Sequence, residues 1–178
     1  DYLQAHHLCP YLLVHPALES EFADMPGAAP DAVVLGDAGH DFTYERLNQA
    51  FRLLMAGAPL LAMGDNRYFR EAEGLSLDIG PFKAALEYAA DKQAVVLGKP
   101  AKAFFLEAVA ALGCGPAETV MVGDDAPADV GGALRAGLSG ILVRTGKYQS
   151  GDEARVGEPG AVVVDDIAGA VDWIVEHR

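Results

Sequence analysis

The segment Gly123-Asp124-Asp125-Ala126-Pro127-Ala128-Asp129 places three carboxylates within six residues, directly after the apolar run Thr119-Val120-Met121-Val122. Like charges this close repel unless something positive sits among them. A hard dication with oxygen ligands satisfies that demand, and magnesium favours one or two carboxylates completed by waters and a phosphate. Helix capping is the competing explanation: Asp129 falls in the first turn of the next helix, where an acid offsets the macrodipole, and Asp125 can cap as well. The two roles are compatible, since one acid can cap while another binds. A second loop, Gly98-Lys99-Pro100, follows the apolar run Ala94–Leu97. Its lysine offers a compact charge to a phosphate oxygen or a carboxylate, although a lone loop lysine is commonly just solvated. Gly98 lets the chain turn and Pro100 prepares the next helix start. Placed at the carboxyl ends of neighbouring parallel strands, the two loops can hold a phosphoryl group between metal and ammonium. Hydrolysis through an acyl phosphate also needs a carboxylate nucleophile. Asp37 is the nearest candidate, but Gly36-Asp37-Ala38-Gly39 reads as a turn.

The elements that must position these groups alternate in period. Strands are expected at Tyr11–Val14, Ala32–Leu35, Pro59–Met63, Ala94–Leu97, Thr119–Val122, Gly140–Val143 and Ala161–Val164. Helices are expected at Ala17–Phe22, from an N-cap at Thr43 to Gly57, from Pro81 to Ala90, at Ala101–Leu112, Ala128–Ala136 and Ile167–Val175. At the Thr43 cap, Arg46 stands where a capping box wants Glu. The aromatic residues and Met of the Tyr44–Met55 helix are expected to pack in the core. Met25–Pro30 is expected to be loop, and Asp65–Gly80 a loop or irregular hairpin. Alternating strands and helices of this length predict an α/β fold with a Rossmann-like, three-layer parallel sheet. A boundary is expected near Leu97, with a smaller α/β module over 1–97 and part of an open parallel sheet over 98–178.

Composition narrows the partners. Acidic residues outnumber basic ones 26 to 13 in 178 residues, for a net charge of −13. That argues against nucleic acid or an anionic membrane, both of which need a basic footprint. Two cysteines, Cys9 and Cys114, without CxxC spacing, give neither a disulfide framework nor a zinc pattern. A reducing, cytoplasmic setting is expected. No apolar run approaches the roughly 18 residues of a membrane span. The five histidines, His6, His7, His15, His40 and His177, show no ligand spacing.

The two loops resemble the third and fourth motifs of the haloacid dehalogenase-like (HAD) hydrolases: Gly98-Lys99-Pro100 and the Gly-Asp-(four residues)-Asp form at Gly123, Asp124 and Asp129. The runs Gly131–Gly137 and Gly140–Gly146, together with Phe42–Ala50 and Gly80-Pro81-Phe82, are similar to subclass IIA, whose members carry a large α/β cap. The resemblance spans essentially the whole chain. It implies a magnesium-dependent phosphatase acting on a small phosphorylated molecule, with residues 1–97 as the cap and 98–178 as the C-terminal part of the core. It implies Asp124 as the magnesium ligand, Asp129 and Asp125 in support, and Lys99 on the phosphoryl group. It also implies that the loop of Asn66, Arg67 and Tyr68 selects substrate and that the cap can form a homodimer.

The family's first motif, DxDGx, supplies the nucleophile and the general acid–base, and its second supplies a Ser or Thr. Neither is found here, and the chain starts at Asp1 rather than Met. The resemblance therefore implies an N-terminally truncated fragment without turnover. The alternative is a non-catalytic cation-, anion- or protein-binding module built on the same fold. A dinucleotide-binding domain is disfavoured because no GxGxxG follows a strand. The order of the motifs disfavours a receiver-type domain.

Overall fold

A computed structural model describes residues 2–25, 29–157 and 160–177. The chain divides into two compact units. The first comprises Asp1–Phe69 and Leu75–Leu97; the second comprises Arg70–Gly74 and Gly98–Arg178. Positions 26–28 of the expected Met25–Pro30 loop lie outside the described residues.

In the first unit, β1 (Pro10–Leu13), β2 (Ala32–Leu35), β3 (Leu60–Ala62) and β6 (Val95–Val96) form a parallel sheet in the order β1-β2-β3-β6. Successive strand residues face opposite sides, so the sheet carries two cores. Leu13, Val33, Leu35 and Leu60 pack against α2 (Tyr44–Met55) and α3 (Ile79–Ala90) through Ala50, Leu54, Ile79 and Leu86. Val14, Ala32, Val34 and Leu61 face the other way, toward Leu3 of α1 (Tyr2–Ala5) and Phe22 of a 3-10 turn over Pro16–Phe22. This is the three-layer arrangement that the alternating pattern implied. Truncating fully buried Leu54 to Ala would cost about 2–5 kcal/mol.

Local signals set most boundaries in this unit. Thr43 Oγ1 accepts from the Arg46 amide at 3.3 Å and opens α2. Arg46 replaces the reciprocal glutamate with tertiary contacts, donating to the Leu12 carbonyl at 2.9 Å and pairing with Asp41 at 3.3 Å. Helix α3 starts earlier than its proline suggested: Asp78 caps it through the Ile79 amide at 2.7 Å, which puts Pro81 third in the helix. Tyr44 and Met55, expected in the core, are exposed because they lie at the two ends of α2, and Phe51 is the aromatic that packs inward. The Asp65–Gly80 region contains a regular two-stranded element, β4 (Tyr68–Glu71) with β5 (Gly74–Leu77).

In the second unit, β7 (Val120–Gly123), β8 (Ser139–Val143) and β9 (Val162–Val164) form a parallel sheet in that order. Ile141 and Val143 pack on α6 (Ile167–Glu176) through Ala170, Trp173 and Ile174. Leu142 points to the opposite side, against Ala126, Val130 and Val156. Helices α4 (Lys102–Leu112) and α5 (Gly131–Ala136) meet through Phe105, Val109, Ala133 and Ala136. The expected Ala128–Ala136 helix divides in two, a π-helical turn over Ala126–Val130 followed by α5.

Among the described residues, no helix is long and apolar enough to cross a membrane.

Candidate active site

The site grows from the end of β7. Gly123 is the last strand residue, and a Cβ placed on it would lie 2.5 Å from the Asp129 Cβ. Only glycine admits the aspartate there, since real Cβ atoms do not approach so closely. Asp125 then caps the π turn, its Oδ1 accepting from the Ala128 amide at 2.9 Å. The Asp125 carbonyl accepts from both the Asp129 amide at 2.9 Å and the Val130 amide at 3.3 Å. The wider turn carries Asp129 back beneath the strand end, where it is 5% exposed. Single π turns recur at functional sites because they re-aim one side chain without breaking the helix.

Lys99 and Asp129 meet. Lys99 Nζ lies 2.7 Å from Asp129 Oδ1, and the Asp125 amide donates to Oδ2 at 3.3 Å. A buried carboxylate needs this pairing, because an uncompensated charge in the interior is costly. The strand before Lys99 is not a neighbour of β7, as the sequence had suggested. It is β6, which belongs to the first unit's sheet beside β3. The chain changes unit directly after it: Val95 and Val96 pair with Leu61 and Ala62, and from Gly98 the chain belongs to the second unit, so adjacency to Lys99 along the chain does not place β6 in the β7 sheet.

A third loop completes the arrangement: the run Gly140–Gly146 carried part of the family resemblance, but Lys147 after it was not expected at the site. After β8 the chain passes through Gly146 at φ +59° into Lys147. The Lys147 amide donates to Asp124 Oδ2 at 2.7 Å, while its ammonium pairs with Asp125 Oδ2 at 2.5 Å. A Cβ on Gly146 would overlap Asp124 Oδ2. A Gly-Lys pair just beyond an expected strand end was the available signal, since glycine admits the left-handed turn found there.

The three aspartates are therefore not equivalent. Asp125 and Asp129 each pair with an ammonium, whereas among the described residues Asp124 has no ion-pair partner. Nor, among those residues, do three His, Cys, Asp or Glu side chains gather as one metal-binding group. Asp37 is exposed, and its Oδ1 accepts from the Gly39 amide at 3.0 Å, the turn role its surroundings suggested. The described histidines are all exposed.

Asn66 and Arg67 lie in the first unit. The Asn66 carbonyl accepts from the Gly80 amide at 2.8 Å, and its buried side-chain Oδ1 has no partner among the described residues. Arg67 is exposed. Beside them Lys83 pairs with Asp65 at 3.1 Å and Glu87 at 3.2 Å. Burial works to lower the Lys83 pKa, but the hydrogen bonds and charges of Asp65 and Glu87 outweigh it, so the group is held above the ordinary lysine value. In the second unit Tyr148 donates to Glu153 at 2.6 Å. That bond is the main cause of a raised phenol pKa and a lowered carboxyl pKa.

Fold and site together define a parallel α/β protein with a lysine and a carboxylate loop gathered at one strand end. Known proteins give the class its family. The HAD-hydrolase-like family model matches residues 96–170. The chain is 47% identical over 175 residues to human haloacid dehalogenase-like hydrolase domain-containing protein 2, covering 98% of this chain and 68% of that protein. It is 46% identical over 178 residues to phospholysine phosphohistidine inorganic pyrophosphate phosphatase of Danio rerio, covering 99% and 66%. A crystal structure of 4-nitrophenylphosphatase from Thermotoga maritima superposes with a TM-score of 0.81 at 28% identity, over 93% of this chain and 65% of that one. Glycerol phosphate phosphatase from Mycobacterium tuberculosis, solved in complex with magnesium, gives 0.76 at 29% identity, over 94% and 54%. The chain belongs to the haloacid dehalogenase-like hydrolase family. It spans about two thirds of the length of the curated relatives it matches.

Proposed function

We propose that this chain supplies the phosphate-gripping and cation-holding part of a magnesium-dependent phosphatase that acts on a small phosphorylated molecule. The observation that carries the proposal is the 2.7 Å pair between Lys99 and Asp129, which fixes an ammonium at the loop that carries Asp124. Lys99 has three donor hydrogens and is about one-third exposed, so donors remain for a phosphoryl oxygen after Asp129 takes one.

The donor set fits magnesium. Among the described residues Asp124 is the loop carboxylate without an ammonium, and the Lys147 amide donates to one of its oxygens. One carboxylate completed by water and phosphate is an ordinary magnesium environment. Asp124 would hold the ion, with Asp129 and Asp125 supporting the loop around it. When bound, magnesium supplies positive charge against the phosphoryl oxygens. Lys99 grips the same group from the other loop, and the pair with Asp129 keeps the ammonium in place.

The nucleophile of the family's DxDGx motif is not among these 178 residues, which contain no Asp-x-Asp-Gly sequence. We expect the 178-residue polypeptide by itself to bind cation and phosphate without turnover. Residues 1–97 are proposed as the cap, with Asn66 and Arg67 helping to choose the substrate and with a homodimer contact through that unit. A cytoplasmic setting is proposed on the two free thiols, Cys9 and Cys114. Calorimetric titration with inorganic phosphate, with and without magnesium, tests the reading. Binding that is strengthened by magnesium and lost in both Lys99→Met and Asp124→Asn is expected. Phosphate binding indifferent to both substitutions would overturn it, and magnesium-dependent hydrolysis of 4-nitrophenyl phosphate by this polypeptide would overturn the expected lack of turnover.

A further inference from the structure

The three aspartates of the β7 loop differ in how many oxygens are already engaged. Asp129 uses both, one on Lys99 and one on the Asp125 amide. Asp125 also uses both, one on the Ala128 amide and one on the Lys147 ammonium. Asp124 gives one oxygen to the Lys147 amide. A single residue thus touches two neighbouring carboxylates in different ways, by backbone on Asp124 and by side chain on Asp125. Its side chain is 14% exposed, so the ammonium is not a mobile surface charge.

We infer that Lys147 is a positioning residue that reserves Asp124 for the cation: its amide orients Asp124 while its ammonium occupies Asp125 and keeps that carboxylate out of the metal's coordination. The inference rests on the proposed magnesium site. It assigns Lys147 a definite sign. A lysine that merely maintained the fold would weaken cation binding when removed. A lysine that withholds a neighbouring carboxylate also repels the cation, so its removal strengthens binding while admitting the wrong ligand. The fit of Gly146 against Asp124 keeps the amide contact in place when only the side chain changes.

The test is binding of Mn²⁺ to the 178-residue chain, read as the loss of the free-ion EPR signal, with magnesium competition and far-UV circular dichroism as the check on folding. Lys147→Gln should bind Mn²⁺ about threefold to tenfold more tightly, from one lost like-charge repulsion near a protein surface. Lys147→Arg should stay within about twofold of the parent chain, because the charge on Asp125 is kept. Adding Asp125→Asn to Lys147→Gln should bring affinity back toward the parent value. Unchanged or weaker binding in a folded Lys147→Gln, with binding still abolished by Asp124→Asn, would overturn the role of Lys147 and leave the site standing. Absence of Mn²⁺ binding in the parent chain, or binding indifferent to Asp124→Asn, would instead overturn the site. Should Lys147→Gln fail to fold, the parent chain decides by carboxyl ¹³C NMR: magnesium should shift the Asp124 carboxyl carbon and leave that of Asp125 in place. Equal movement of both would overturn the inference.

Discussion

Two strands, one in each unit, lead into the same dipeptide, and the two turns have opposite fates. Strand β2 runs into Gly36-Asp37, and β7 closes on Gly123 and runs into Asp124. Asp37 is exposed and satisfies its own turn through the Gly39 amide. Asp124 is half-buried and is held by an amide 23 residues away in sequence. The glycines differ in the same sense. A Cβ on Gly36 would meet the sulfur of Met63 and a methyl of Val14, both at 3.1 Å, whereas one on Gly123 would strike Asp129 at 2.5 Å. A strand-end Gly-Asp becomes a candidate site only where other loops converge on it with donors and charge.

The comparison breaks most visibly at the glycines. Gly123→Ala should destabilise the chain by about 3 kcal/mol, since buried Asp129 has nowhere to move, while Gly36→Ala should cost about 1 kcal/mol because Met63 can shift. Urea unfolding midpoints measure both, and equal costs would mean that Gly123 is not a packing glycine. Next in size are the aspartates. Asp124→Asn should weaken Mn²⁺ binding about 100-fold, and Asp37→Asn should leave it unchanged. Isothermal titration of the two variants makes the contrast direct. Lys99→Met comes third, with a loss of about 1–3 kcal/mol in unfolding free energy, because Asp129 stays buried without its ammonium. Lys99→Arg should recover part of that stability.

The smallest effect is a pH dependence in the first unit. The Lys83 pKa is raised, so the protonated form is the one that favours folding. Its contribution is fully present below the ordinary lysine value and is lost as pH climbs through the raised folded value. Unfolding midpoints measured from about pH 9 to about pH 11.5 should fall in the parent chain and fall less in Lys83→Met.

Much of this was legible in sequence, for identifiable reasons. Thr43 and Asp125 act within a few residues, through a hydroxyl and a carboxylate, so their capping roles could be read locally. The strands of the two parallel sheets were legible because short apolar runs bounded by Gly, Pro and polar residues favour buried strands over helices, which need more length. The start of α3 was misread because a proline is conspicuous, whereas the true cap, Asp78, looks like any loop acid. The neighbour of β7 was misread because a two-residue strand carries no record of the sheet it joins.

The sequence by itself determined the alternation of elements, the three-layer α/β class, and the two loops where lysine and aspartates had to matter. Those follow from periodicity and from charge crowding, which are properties of neighbours along the chain. Only the tertiary structure decided that Lys99 pairs with Asp129, that Lys147 divides its amide and ammonium between Asp124 and Asp125, and that Asp37 is left to solvent. Those outcomes depend on which loops the folded chain brings within a few ångströms. A carboxylate's role is set by the donors that reach it in space, and neither its residue type nor its spacing specifies them.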